Sequence, residues 1–268
     1  MIKATSSFSI LFLLLSFALV CQAQDFREVR KSGEFGQNGR LSIDTYKGTI
    51  KILTWDKSEI EILARIESDG WDRRSREKVE DTEIRIDLSP HSARIKTDYD
   101  RVKERHNGFL GLFRGDDSGN LPLVHYTIKV PKTTNLDVKD YKSRTEVNDI
   151  ESDVNIETYK GEVEVGRLSG SLTLETYKGE ARVSFARLVG RSRFETYKGS
   201  IDISLPKGKG FELDADIGRH GTFDSDFAIE RDRRRDRRSS LELRSPIHGG
   251  GPLVRLKTDH GTIRLLER

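Results

Sequence analysis

Residues 137–206 read DVKDYKSRTEVNDIESDVNIETYKGEVEVGRLSGSLTLETYKGEARVSFARLVGRSRFETYKGSIDISLP, and a four-residue phrase recurs in this stretch. Its copies are Asp140-Tyr141-Lys142-Ser143, Thr158-Tyr159-Lys160-Gly161, Thr176-Tyr177-Lys178-Gly179 and Thr196-Tyr197-Lys198-Gly199. The tyrosines are 18, 18 and 20 residues apart. A short, nearly fixed period predicts structural units that bury their apolar faces against neighbouring units.

Apolar residues alternate with polar ones on both sides of each phrase. The columns before it hold Leu136/Val138, Val154/Ile156, Leu172/Leu174 and Ser192/Phe194, and those after it hold Thr145/Val147, Val163/Val165, Ala181/Val183 and Ile201/Ile203. A period of two indicates β-strands rather than helices. We therefore expect Val163 and Ile201 to be core residues.

Short strands separated by turns within 18–20 residues predict one coil of a parallel β-solenoid. Successive coils would then be about 4.8 Å apart, the spacing of paired strands. An antiparallel meander is the alternative, although it would not require the same turn in every unit. The fold class that we expect is all-β, a parallel β-solenoid (β-helix) of short 18–20-residue coils.

Further copies of the phrase lie outside the central stretch. Residues 41–52 and 254–265 fit the pattern, and a weaker copy around 213–223 is out of register by one. Glycine after Tyr-Lys predicts a tight turn with positive φ. Ser143 replaces this glycine, so its turn is expected to differ. The predicted structural turn glycines are Gly48, Gly161, Gly179, Gly199, Gly221 and Gly261.

Residues 1–23 have the pattern of a signal peptide. Lys3 precedes an apolar run from Phe8 to Val20, and Cys21-Gln22-Ala23 resembles a cleavage site. Lipidation of Cys21 is the alternative, although Val20 is not the small residue that a lipobox has. We expect an exported protein, periplasmic, outer-surface or secreted, with no transmembrane span in the mature chain.

The remaining chain is divided by its pattern into two sections. Residues 24–130 are predicted to be an N-terminal β-rich section that caps or extends the solenoid, and residues 131–268 the repeat solenoid. An Arg-rich insertion at about 228–251 contains the run from Arg231 to Arg238, which is expected to be a solvated loop or a contact with anionic envelope polymers. The single cysteine and the single methionine both lie before residue 24, so core burial must replace disulfides.

The layout resembles the bacterial putative-adhesin family, a domain of unknown function described by analogy with auto-transporter adhesins. The resemblance rests on the early copy at 41–52, the strand from Val124 to Pro131, the tandem copies with glycine turns and the closing copy at 258–265. It implies a β-solenoid at the cell envelope without known catalytic residues. The family turn is Ser-Gly-Asp, whereas this chain has Tyr-Lys-Gly.

Catalytic and cofactor signals are few. The six histidines show no metal-ligand spacing, and neither a nucleophile elbow nor a phosphate loop is found. Glu157, Glu175 and Glu195 recur as a ladder, which is typical of repetition rather than of an active site. We therefore predict no enzyme, no catalytic residue, no metal and no cofactor, and we interpret His220 and His260 as surface turn residues.

The repeated tyrosines and lysines are the candidate ligand-binding residues. Alternation places the tyrosines outside, stacked along one edge of the solenoid. One interpretation is structural: the tyrosines stack and the lysines pair with the glutamate ladder. The other is a strip that binds a linear anionic glycan or a protein. The strip comprises Tyr141, Tyr159, Tyr177, Tyr197, Lys142, Lys160, Lys178 and Lys198.

These observations favour a non-enzymatic, exported, adhesin-like or scaffold protein of the bacterial cell envelope that binds an envelope glycan or a surface protein. The balanced charge, 47 basic against 44 acidic residues, gives no general attraction to nucleic acid. One alternative is a polysaccharide-processing β-helix enzyme, which would need clustered, non-repeating carboxylates in one groove. Another is a component of envelope-stress signalling.

Overall fold

The computed structural model describes residues 26–70, 73–106, 121–229 and 240–268. The predicted signal peptide with Cys21, and the Arg231–Arg238 run, lie outside the described residues. In the described part, two long β-sheets enclose one continuous apolar core. The expected all-β class is confirmed.

Each sheet has ten strands in the described part of the chain. The first sheet contains, in spatial order, β1 (Phe26–Glu34), β4 (Glu59–Glu67), β7 (Leu123–Pro131), β3 (Lys47–Trp55), β9 (Lys142–Asn148), β11 (Glu162–Gly170), β13 (Glu180–Leu188), β15 (Ser200–Leu205), β20 (Thr262–Glu267) and β17 (Thr222–Ser225). The second contains β5 (Glu83–Ser89), β6 (Ser92–Asp98), β2 (Arg40–Asp44), β8 (Asn135–Asp140), β10 (Val154–Thr158), β12 (Leu172–Thr176), β14 (Ser192–Thr196), β19 (Leu253–Thr258), β16 (Phe211–Ile217) and β18 (Leu241–Ile247). Two short helices, α1 (Arg73–Asp81) and α2 (Asp100–His106), belong to the N-terminal section.

Parallel pairing dominates the repeat block. In the second sheet Val154 pairs with Leu136 on one side and Leu172 on the other. In the first sheet Val163 pairs with Thr145 and Ala181 in the same way. Each coil thus contributes one strand to each sheet, and the Tyr-Lys phrase forms the corner between them.

Antiparallel pairing occurs at both ends of the sheets. At one end β4 is antiparallel to β1 and β7, and β5 is antiparallel to β6. At the other end β18 is antiparallel to β16. The expected parallel register therefore holds between the coils, and of the four outermost strands only β17 keeps it, by pairing with β20.

The spatial order of the coils differs from their chain order. The coil β2/β3 lies between β6/β7 and β8/β9, and the C-terminal coil β19/β20 lies between β14/β15 and β16/β17. Residues before and after 131 therefore share both sheets. The weaker copy also joins this stack, because Ile217 pairs with Thr258 and Thr222 pairs with Thr262. Its extra residue is taken up at the corner between those pairs.

The predicted core columns face the space between the sheets. Val163 is 3% exposed and Ile201 is completely buried, so their expected position is confirmed. Burying such a side chain contributes about 1.5–3 kcal/mol. Burial along many short strands of this kind is the main source of stability in the described part of the chain.

The prediction of positive φ at the turn glycines is wrong for most of them. Among the predicted turn glycines, only Gly48 has φ in the positive range, at 131°. The others are required by close packing of successive coils. A Cβ on Gly179 would lie 2.1 Å from the carbonyl oxygen of Gly161, and one on Gly199 would lie 2.0 Å from that of Gly179. Glycine is needed because backbones meet at this corner.

Candidate functional site

Each regular corner is held by a hydrogen bond inside the repeated phrase. The Gly161 amide donates to the Thr158 hydroxyl at 2.9 Å, and the corners at 176–179, 196–199 and 258–261 have the same bond. A threonine side chain that accepts from an amide three residues later closes a turn locally. The threonine therefore points inward, while the two residues between it and the glycine lie outside.

The corner of the Tyr141 coil uses a carboxylate in place of the threonine hydroxyl. The Asp140 carboxylate accepts from the Ser143 amide at 2.7 Å and from the Thr158 hydroxyl at 3.0 Å. Burial raises the pKa of Asp140 to about 6, and these two hydrogen bonds limit the rise. Asp140 thus fixes its own turn and ties it to the next coil.

The tyrosines form one continuous stack along the corner. Adjacent ring centroids are 4.7 to 5.0 Å apart and adjacent planes differ by 6–9°. The stacked rings are Tyr46, Tyr141, Tyr159, Tyr177 and Tyr197. Tyr159 and Tyr177 are 37% and 36% exposed. Because neighbouring rings cover each other's faces, ring edges are what the stack presents to solvent.

Two histidines extend the stack beyond the last tyrosine. The His260 ring lies 5.1 Å from the Tyr197 ring, and the His220 ring lies 5.0 Å from His260 with an interplanar angle of 24°. Both histidines are exposed on turns, but the sequence did not place them with the tyrosines. Their position just before Gly221 and Gly261, which the lysines hold in the other copies, is the sequence signal that could have placed them there.

The four predicted lysines lie beside the tyrosine stack. The Lys160 ammonium is 5.4 Å from the centroid of the Tyr159 ring, and those of Lys178 and Lys198 are 5.5 Å from their own tyrosines. Among the described residues, no carboxylate forms a salt bridge with any of the four lysines, Lys142 included. The expected pairing of these lysines with the glutamate ladder is therefore wrong.

Other cations neutralise the glutamate ladder. Lys139 lies 3.1 Å from Glu157, and Lys257 lies 3.0 Å from Glu195. Arg193 contacts both Glu175 and Glu195. Burial would raise the pKa of Glu195, but hydrogen bonds from Arg193 and Lys257 outweigh it and lower the pKa. Outward residues of the strands thus satisfy the ladder without the corner lysines.

A groove of about 630 Å³ runs between the glutamate ladder and the tyrosine stack. Its carboxylates are Asp140, Glu157, Glu175, Glu195, Asp216 and Asp259. The two sides of the tyrosine stack therefore differ: on the groove side the glutamates are ion-paired, whereas the corner lysines outside the groove have no carboxylate partner among the described residues.

Two further features are absent from the described ranges, a metal site and a membrane-spanning helix. No group of three or more His, Cys, Asp or Glu residues there is arranged to hold a metal ion. No helix among those residues has the length and apolar character that crossing a bilayer requires.

Similarity to known proteins identifies the family of the chain. The model of a family described as Toastrack DUF4097 matches residues 116–266, which is more than half of the chain. The chain belongs to this Toastrack family. The resemblance seen in the sequence, to a family of adhesin-like domains of unknown function, is thereby confirmed. No curated protein matches the chain.

Solved structures give the Toastrack chain a structural relative. A protein described as a putative cell adhesion protein from Clostridium sporogenes has a TM-score of 0.53 and 14% identity, covering 90% of this chain and 100% of its own. Putative adhesins from Parabacteroides distasonis and Parabacteroides merdae have TM-scores of 0.29 and 0.28, with 9% and 11% identity. Both alignments include 90% of this chain, and they include 97% and 96% of the two Parabacteroides chains. The Clostridium protein shares the fold.

Proposed function

We propose that this protein is an exported, non-enzymatic, adhesin-like component of the bacterial cell envelope, built as a parallel β-solenoid. In this proposal the corner strip binds a linear anionic glycan. The strip comprises Tyr141, Tyr159, Tyr177, Tyr197 and Lys142, Lys160, Lys178, Lys198. The Toastrack family and the cell-adhesion description of its structural relative support an adhesin-like role.

The unpaired lysines carry the proposal. Carboxylates at other outward positions, such as Glu157 and Glu195, are matched by cations from neighbouring strands. The corner lysines recur once per coil, are exposed and contact tyrosine rings rather than carboxylates. Such a row offers many weak contacts to a polymer that lies along it, and their sum gives useful affinity.

The carboxylates of the groove argue against a polysaccharide-processing enzyme. Glu157, Glu175 and Glu195 repeat in register and are ion-paired. Asp140 departs from the repeat and has a raised pKa, as a general acid would. However, its Oδ1 is bonded to Ser143 and Thr158, and its Oδ2 is buried away from solvent. The raised pKa therefore accompanies a structural role.

Binding to linear glycans tests the proposal. Residues 24–268 would be titrated with anionic and neutral linear polysaccharides at low ionic strength. The test variant combines Tyr159→Phe, Tyr177→Phe, Lys160→Gln and Lys178→Gln. We expect wild type to prefer anionic chains, with affinity falling as salt rises, and the variant to fold normally and to lose most of this binding.

A matched control carries the same loss of charge at another exposed site. Lys207→Gln with Lys209→Gln removes two lysines that lie away from the strip and should bind like wild type. The proposal is overturned if wild type binds no anionic glycan at low salt, or if the four-fold variant binds equally well. Recovery of a surface protein that needs the strip would instead favour the protein partner.

A further inference from the structure

The row of cationic corners continues past the last tyrosine in the same register. The amide of each corner lysine donates to the carbonyl of the tyrosine one coil earlier, as in Lys178 to Tyr159 at 2.9 Å and Lys198 to Tyr177 at 2.8 Å. The His260 amide makes the same bond to Tyr197 at 2.8 Å. His260 therefore occupies the next lysine position of the stack.

His220 occupies the position after that. The Thr222 amide donates to the Gly261 carbonyl at 2.9 Å, just as the Thr262 amide donates to the Gly199 carbonyl at 3.0 Å. The residue before the corner glycine is thus equivalent in both coils, and the 5.0 Å between the two imidazole rings matches the coil spacing. The coil β16/β17, which packs against β19/β20, therefore adds a sixth position to the row.

The row begins at Lys142 because the preceding corner is neutralised. Lys47 belongs to the coil of Tyr46, but it is buried and lies 2.6 Å from Asp69. Its charge is therefore satisfied inside the protein. Tyr46 continues the aromatic stack without adding a free cation to the edge.

We infer that this edge is a six-position row that holds a linear anionic polysaccharide along the coil axis, with four lysines followed by two histidines whose protonated form the bound polyanion favours. The positions are Lys142, Lys160, Lys178, Lys198, His260 and His220. The inference rests on the proposed function and assigns to the site two residues that the repeated phrase does not contain. Binding would be stronger in acidic surroundings.

The covered ring faces determine how the polymer is recognised. A sugar cannot lie on the face of a tyrosine whose two faces are already stacked, as for Tyr159 between Tyr141 and Tyr177. The polymer instead meets ring edges and a charge at every coil, about 4.8 Å apart. Recognition follows the spacing of the anionic groups along the chain rather than the identity of each sugar.

Charged side chains of both signs lie near His260 and His220. The Asp259 carboxylate lies 3.0 Å from the His260 Nδ1. The other charged residues on the adjacent strand and turns are Asp216 near the end of β16, Lys198 and Arg219. Histidine is the side chain that ordinarily changes charge between pH 5 and 8. A bound polyanion offsets the repulsion between two stacked imidazoliums, so binding and protonation reinforce each other.

The test uses defined heparin fragments, because their sulfate groups stay ionised between pH 5.5 and 7.5. For wild type we expect at least about fivefold tighter binding at pH 5.5, consistent with two added ionic contacts. The double variant His220→Gln and His260→Gln should bind like wild type at pH 7.5 and gain nothing at pH 5.5. The double variant His220→Lys and His260→Lys should bind tightly at both pH values.

His91→Gln, at an exposed turn of the N-terminal section, is the matched control and should keep the wild-type pH response. The inference is overturned if wild type binds equally at both pH values, or if the glutamine variant retains the response. Its failure differs from failure of the proposed function: in the first case salt-sensitive binding through the lysines persists, and in the second no heparin binds at either pH.

Discussion

The corner of the Tyr141 coil and the corner of the Tyr177 coil solve the same geometric problem with different residues. At 176–179 a threonine hydroxyl accepts from the glycine amide, and at 140–143 an aspartate accepts from a serine amide. Glycine is required where the preceding corner brings a carbonyl within 2.1 Å of the missing Cβ, as at Gly179. Ser143 instead pairs with Gly48, whose φ of 131° sets its coil apart.

The difference shows which parts of the phrase are structural. The first position needs a hydrogen-bond acceptor, and the fourth needs a small residue only where the neighbouring backbone is close. The second and third positions are Tyr-Lys in both corners, although neither the hydrogen bond nor the close backbone contact involves their side chains. The tyrosine stack and the row of lysines explain why these two residues recur.

The largest effect is expected from filling the regular corner. Gly179→Ala places a methyl group against the Gly161 carbonyl, so the coils must move apart locally and we expect a loss of about 3 kcal/mol. Urea unfolding measures the change. Ser143→Gly should cost less than about 1 kcal/mol, because it creates no clash and mainly adds conformational freedom to the unfolded chain. Equal stability of Gly179→Ala and wild type would contradict the close-packing explanation.

The second effect depends on pH and follows from Asp140. The pKa of this carboxyl is about 6 in the folded chain, against an ordinary value of 3.8, so the folded state binds the proton more tightly. Asp140 therefore weakens folding as pH rises from about 4 to above 6, by roughly 2–3 kcal/mol for a shift of this size. Below pH 4 this penalty is absent.

Asp140→Thr converts the irregular corner into the regular type and removes the penalty. The free energy of unfolding of this variant, relative to wild type, should rise by roughly 2–3 kcal/mol between pH 4 and pH 7. Urea titrations at several pH values measure this difference directly. A constant difference between the two proteins across that range would show that Asp140 has an ordinary pKa.

A smaller effect is expected from removing the acceptor of the regular corner. Thr176→Val preserves shape but leaves the buried Gly179 amide without its partner, which should cost about 1–2 kcal/mol. Amide hydrogen exchange at Gly179 should accelerate as well. Thr173→Val, on the outward face of the same strand, serves as the control. If both variants behave alike, the hydroxyl does not hold the corner.

Local features were predictable from sequence because they repeat. The alternation around Val163 and Ile201 determined which side of each strand is buried, and the fixed period indicated coils in register. The outward position of Tyr159 and Tyr177 followed from the same alternation. These properties depend only on residues a few positions apart.

Other features depend on residues that are distant in the chain. Gly179 is glycine because of the Gly161 carbonyl, a contact that no local turn rule includes. The partners of the glutamate ladder, such as Lys257 for Glu195, come from coils far away in sequence. His260 joins the stack only because its coil packs directly beside that of Tyr197, which the chain order does not suggest.

That displaced packing has a consequence for how the chain is made. The coil β16/β17 is synthesised before β19/β20, yet β19/β20 lies between it and β14/β15. Until residues 253–268 are in place, both sheets retain open edges at this point. Removing residues 253–268 would leave those edges unpaired, so a chain truncated there should aggregate rather than simply lose one coil.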